Sequence, residues 1–435
     1  MDKHFKAYQH LVTEKYKAFN TLFLRLPFYG VPEAGMALPE FAETCEQGLQ
    51  GKKTPIEIVE SFFQGRTDQD IYQQLFLFLQ FVERQIVLFD ALEDCAYHLT
   101  HDLDGPGSLT SAIHEINDVV NLDDYQTRIV LTAHPTQFYS PYVLNIIEDL
   151  STAIHSEDIA SIKLLLLQMG KTPFLGKKQP TPLDEAEFLI TYLAGIFYPT
   201  VSHIHRRLQQ ATHRQLTPIR LGFWPGADRD GNPNVTANIT LAVADALKKS
   251  ILACYQQDLH QLRRRLTFKH VIEKMQSIEE KLPHYASPQA LLNDLQHVRV
   301  LIHEQDDDLF IEHLDAFITR VQSFGFYFAS LDLRQDSSAH EDFINRYLPG
   351  YITASHDEKL AMIDTAMMQP IPNVDVEHDC IAALKTLPII QAQNGVEGMH
   401  RYIISNTQAA HHVTEILLLL KWAGLESHSI QLDIV

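Results

Sequence analysis

The chain is poor in cysteine, in positive charge and in long apolar runs, and each shortage narrows what it can be. Its four cysteines (Cys45, Cys95, Cys254, Cys380) stand far apart with no CxxC pair. That argues against a thiolate zinc centre and fits thiols kept reduced. Thirty-five Lys and Arg residues face 55 Asp and Glu, for a formal net charge of −20. Nucleic acid and anionic membrane both demand a broad basic footprint, so neither is expected as a partner. A small anion can still be held by a few well-placed arginines. The most apolar window, "FLITYLAGIFY" (Phe188 to Tyr198), is too short to cross a bilayer. The opening "MDKHFKAYQHL" has no apolar core of a secretory leader. The expected location is therefore the cytoplasm.

What the chain does have is helical periodicity. Apolar residues recur at helical spacing from Ile71 to about Leu99. Thr181, Pro182 and Asp184 read as N-cap, first turn and capping-box partner of a second long helix. Ser287 and Pro288 open another in the same way. Further helical patterns cover about 4–25, 141–169, 236–281, 306–323, 354–369 and 407–424. Five short apolar runs interrupt them: "RIVLTAH", "IRLGFW", "FYFASLDLR", "RYIISN" and "IQLDIV". Strands separated by helices predict a parallel sheet in a mainly α-helical α/β fold, compatible with a TIM-type (β/α) barrel carrying inserted helices. In such barrels the chemistry sits at the C-terminal ends of strands. His134, Arg229 and Arg334 all fall at or just after such ends.

Three stretches could carry chemistry. In "TAHPTQ", Pro135 holds His134 out of the helical region, and imidazole can move a proton or ligate a metal near neutral pH. A hydrogen-bonded core histidine is the structural alternative. In "LGFWPGADRDGNPNVT", glycines and Pro233 mark a turn-rich loop, and Asp228, Arg229, Asp230 and Asn232 follow the aromatic pair Phe223–Trp224. It fails as a calcium loop, because Pro233 and Ile239 occupy the sixth and twelfth positions. A loop held by internal Asp–Arg pairs is the alternative there. In "FASLDLRQDSSAH", Asp332 and Arg334 share one face of a strand. The planar fork of Arg334 suits phosphate or carboxylate, and an internal salt bridge is the competing reading. The adjacent pair His411–His412 and the pair His98 and His101 lack the extra ligands a metal site needs.

Together the three stretches resemble the phosphoenolpyruvate carboxylase family, in its order, with "KKQPTPLDEAEF" and "ISNTQAAHHVTEILLLLKWAGL" as two further similar segments. The resemblance implies a helical region over about 1–125, then a partial TIM-type barrel over about 126–435, its first four or five strands ringed by helices. It also implies carboxylation of phosphoenolpyruvate by bicarbonate to oxaloacetate and phosphate, with Mg2+ or Mn2+. In that mechanism bicarbonate attacks the phosphate, giving carboxyphosphate and the enolate of pyruvate. By the same resemblance His134 takes the proton of carboxyphosphate, and Arg334 binds the phosphate. Trp224, Arg229, Asp230 and Asn232 wall the site.

Two positions depart from the family pattern: "FYSPYV" follows the histidine where many members have an arginine pair, and Ala227 replaces a second glycine. The family's glycine-rich loop, second histidine, active-site lysine and metal-binding acids have no counterpart here. The chain is thus expected to be an N-terminal portion of a divergent bacterial-type enzyme, inactive alone and without the metal ligands. Its partners would be the missing C-terminal half and, once complete, a homo-tetramer. A non-catalytic helical scaffold that binds another chain is one alternative. An enzyme that uses phosphoenolpyruvate to phosphorylate a histidine is another, which "TAHPT" fits less well.

Overall fold

The computed structural model describes residues 3–25, 32–100, 126–132, 139–174, 180–212, 216–425 and 430–435. Two compact units emerge, residues 1–114 with 134–179 and residues 115–133 with 180–435. No described helix is long and apolar enough to cross a membrane, and all four cysteines are free.

The first unit is helical: Lys3–Arg25, Pro32–Gln50, Pro55–Phe62, Asp68–Thr100, Pro141–His155 and Ile159–Lys171. Its core joins Phe63, Phe78, Phe81 and Leu88 to Val143, Ile146, Ile162 and Leu166. The last two helices follow the first strand in sequence yet pack with the helices before it, because their apolar stripes complete that core. A single helical pattern over 141–169 is in fact two helices. The chain turns at Glu157, which has a positive φ, and Asp158 caps the second helix by accepting from the Ala160 and Ser161 amides. Arg84 is almost wholly buried and closes the far end of that helix, donating to the Met169 and Thr172 carbonyls at 3.2 and 2.9 Å. A cation there satisfies carbonyls that the helix cannot.

The second unit carries the sheet. All five apolar runs are strands: β1 Thr127–Leu131, β2 Ile219–Phe223, β3 Ser330–Asp336, β4 Arg401–Ser405 and β5 Asp433–Ile434. Every pairing is parallel and the spatial order is β1-β2-β3-β4-β5. Parallel neighbours need crossovers, and helices fill each interval. One face of the sheet is apolar: Leu221, Phe223, Leu331, Leu333, Tyr402 and Ile404 are buried among those helices. The other face is polar. By register it presents Arg128, Arg220, Asp332, Arg334 and Arg401.

Local signals start the helices as the sequence predicts. Thr181 and Asp184 form a capping box before Pro182–Tyr192, and Ser287 caps Pro288–Gln305. The helix at Tyr198–Thr212 lacks such a signature, and that at Asp379–Asn394 is capped not by Ser or Thr but by His378, which accepts the Cys380 amide. The second contains Pro388 and draws its stability from buried Ile381, Leu384, Leu387 and Ile390. His205, fully buried on the Tyr198–Thr212 helix, accepts the Ile219 amide at Nε2 (3.1 Å) and meets Ser323 Oγ at Nδ1 (2.8 Å). It thereby pins the start of β2.

Two outcomes are expected. Burial lowers the His205 pKa to about 4, with Arg220 adding to the effect. Its contribution to stability is then complete above the unfolded value near 6.5 and is lost as pH falls from there toward 4. Urea unfolding between pH 7 and 4 should show that loss, and it should shrink in His205→Gln. Second, Gly226 and Gly231 both have positive φ, but a Cβ at Gly226 would lie 2.5 Å from Val243 whereas Gly231 has open space. Gly231→Ala should cost about 1 kcal/mol and Gly226→Ala clearly more, in the same denaturation measurement.

Candidate active site

The polar face works because one strand has no side chain at its middle. Arg128 rises from β1 and crosses β2 above Gly222, where a Cβ would stand 2.9 Å from the guanidinium carbon. It reaches Asp332 on β3 with both nitrogens, at 3.0 and 2.7 Å, and also donates to the Ser330 carbonyl at 3.2 Å. Asp332 is fully buried. Its Oδ2 also accepts the Trp224 indole N–H at 3.0 Å. A carboxylate removed from water needs this many donors, and here a bidentate arginine and an indole supply them.

Trp224 is in turn the floor for the next charge. The Arg334 guanidinium lies 4.9 Å from the centre of its ring. Arg334 donates to both oxygens of Asp228 at 2.9 Å and pairs with Asp230 at 2.7 Å. The backbone makes this possible. The Arg334 amide donates to the Ala227 carbonyl and the Arg229 amide donates to the Arg334 carbonyl, at 3.1 and 2.9 Å. The loop after β2 thus runs beside the end of β3 as a one-residue parallel bridge. Asp228 and Asp230 stay a quarter to a third exposed, and the Arg334 side chain is 21% exposed, so the cluster meets solvent at the strands' C-terminal ends.

Arg334, Trp224 and Asp230 are therefore brought together. Arg229 points elsewhere. It is 5% exposed and donates to the Ala227 carbonyl and to Thr240 Oγ, while lying 2.9 Å from an Asp379 oxygen. Thr240 also donates to the Gly226 carbonyl at 2.7 Å. These bonds fasten the loop to the helix Ala237–Arg263, which Thr236 caps. Asn232 is taken up inside the loop, its amide donating to the Arg229 carbonyl and its side chain accepting the Asn234 amide. His134 lies outside the described residues. Sequence reasoning did not single out Arg128 or Asp379 as partners, since each comes from a distant segment. The one available signal was Gly222 inside a strand, which marks a close approach.

A family model described as phosphoenolpyruvate carboxylase matches residues 110–282 and 268–435. Among curated proteins, the phosphoenolpyruvate carboxylase of Synechocystis sp. is 25% identical over 406 residues, which cover 70% of this chain and 39% of that protein. That of Acinetobacter baylyi is 26% identical over 375 residues, or 68% of this chain and 41% of the relative. That of Prochlorococcus marinus SARG is 24% identical over 418 residues, or 74% and 41%. The chain thus spans about two fifths of the length of these relatives.

Removing Asp332 should leave the Trp224 N–H without an acceptor and Arg128 without its counter-charge, holding the Ser330 carbonyl alone. Asp332→Ala is expected to cost about 3–5 kcal/mol of unfolding free energy. Arg128→Met with Asp332→Ala should cost less than the sum of the two, and Trp224, one of only two tryptophans, supplies a fluorescence readout of the cycle.

Proposed function

Because the chain belongs to the phosphoenolpyruvate carboxylase family, we propose that it supplies the N-terminal portion of that enzyme's active site, for carboxylating phosphoenolpyruvate with bicarbonate to oxaloacetate and phosphate. The observation that carries the reading is the Arg334 cluster at the C-terminal ends of parallel strands. A planar cation stacked on Trp224 and oriented by two carboxylates is preset for an oxyanion. In this reading the five sequential strands are the first part of a TIM-type β/α barrel.

The proposed division of labour follows from the geometry. Arg334 binds the phosphate, which competes with Asp228 and Asp230 for the same guanidinium nitrogens. Arg220 and Arg401 raise the potential of the whole face for anions. Trp224 and the 228–232 loop wall the site, and Arg229 serves it by holding that loop closed on its helix. His134 takes the proton when carboxyphosphate releases carbon dioxide. The Mg2+ or Mn2+ of the family finds no fit in this cluster: Asp228, Asp230 and Asp332 each already neutralise a guanidinium at 2.7–3.0 Å. No step is therefore assigned to a metal on these residues. Its ligands, with the rest of the machinery, are proposed to lie in the part of the relatives that this chain does not span. The proposed setting is the cytoplasm, in a homo-tetramer.

The test is complementation. The chain alone, given phosphoenolpyruvate, bicarbonate and Mg2+, should form no oxaloacetate in a coupled spectrophotometric assay. Adding a separately expressed C-terminal portion of a family relative should restore it, and Arg334→Ala or His134→Asn should then cut the rate by roughly 100-fold or more. Oxaloacetate from the chain alone would refute the division of the site. Tight association with no turnover would instead favour a scaffold that docks a partner.

A further inference from the structure

A second cluster of charged and ligating groups shares no residue with the Arg334 cluster. Glu341 comes from the helix Ser337–Asn345, and His411, His412 and Glu415 from the first turns of His411–Trp422. One donor atom from each can be chosen so that all four lie within 4.8 Å of one another. The sequence shows only an adjacent histidine pair. The fold adds two carboxylates.

The donor atoms lie close enough to converge on one ion with small side-chain shifts. His411 Nε2 lies 3.1 Å from Glu341 Oε1 and 3.9 Å from Glu415 Oε1. Four ligands at zinc bond lengths stand roughly 3.3–3.4 Å apart at the corners of a tetrahedron. His411, His412 and Glu415 are all buried, Glu415 completely. Glu415 Oε1 accepts the Tyr351 hydroxyl at 2.8 Å, but its Oε2 is fully buried with no hydrogen-bond partner. An unmatched carboxylate oxygen inside a protein is costly and asks for a cation.

The hydrogen bonds assign the roles. His412 Nδ1 accepts the Gln408 amide at 3.2 Å, so its Nε2 carries the proton and faces Glu341 Oε1 at 3.4 Å. That makes His412 a donor to the carboxylate, not a ligand. His411 Nε2 faces the acceptor Glu341 Oε1 at 3.1 Å and carries the proton here; ligation requires the other tautomer, whose Nδ1 proton can go to Nδ1 of exposed His356, 3.3 Å away. An outer partner of this kind is what metal-bound histidines use. Lys359 pairs with Glu341 Oε1 and is the positive charge that an ion would displace.

We propose that His411 Nε2, Glu341 and Glu415 form a binding site for a divalent first-row transition ion of the zinc class, with His412 and His356 orienting the ligands. A nitrogen donor and a largely dry setting disfavour Mg2+, which keeps several waters. The site shares no residue with the proposed carboxylation cluster and stands or falls separately from it.

Equilibrium dialysis of the chelator-treated full chain against Zn2+, with metal analysis, tests the site directly. One tight Zn2+ per chain is expected, unaffected by excess Mg2+. His411→Ala and Glu415→Gln should each weaken it by more than roughly tenfold. Lys359→Gln should tighten it by about tenfold by removing the competing ammonium. Co2+ in place of Zn2+ should give visible absorption bands that His411→Ala abolishes. Circular dichroism confirms that each variant is folded. No stoichiometric Zn2+, or Zn2+ retained equally by His411→Ala and Glu415→Gln, overturns the site. Unchanged or weaker binding in a folded Lys359→Gln overturns the assigned role of the lysine.

Discussion

The pair between Arg128 and Asp332 organises everything around it. A fully buried carboxylate on β3 is tolerable only with donors aimed at it, and they come from β1 and from the turn after β2. One ion pair therefore ties three strands together on their polar face. It depends on Gly222, because any side chain there would occupy the space through which the arginine passes. It also orients Trp224, on which Arg334 rests. The exposed end of the cluster is built upward from its buried end.

The two faces of the sheet obey different rules. The apolar face is held by non-directional burial, so Leu221, Phe223, Leu331 and Leu333 need only fill volume against the helices. The polar face is held by directional pairs, where each charge must find its counter-charge. Such pairs add little net stability after desolvation. They do leave partly exposed guanidinium and carboxylate groups in defined positions, which an apolar face cannot offer a charged substrate. The loop from Trp224 to Val235 shows the same division. Arg229 turns inward to fasten it, and Asp228 and Asp230 turn toward Arg334.

Much of this was legible in one dimension. All five strands stood out as short apolar runs, and Thr181 and Ser287 marked their helices through cap chemistry that acts over three residues. The shared face of Asp332 and Arg334 followed from strand alternation. Other features were hidden for physical reasons. The helix Asp379–Asn394 carries an internal proline and owes its place to burial. Helices at Pro141–His155 and Ile159–Lys171 join the first unit because of which core they complete, which periodicity does not reveal. The histidine pair at 411–412 looked unsupported because its carboxylate Glu341 lies 70 residues away.

By itself the sequence determined all five strands and most of the helical segments, that the strands are parallel, and which side chains could bind an anion. Those properties arise from local propensity and from periodicity, whose range is a few residues. Only the tertiary structure decided the partners. It set Arg128 on Asp332, Asp228 and Asp230 on Arg334, Asp379 beside Arg229, and Glu341 with Glu415 around His411. Charge pairing acts over a few ångströms in space and is blind to separation along the chain. Which charges meet is therefore settled only when the strands and helices are packed.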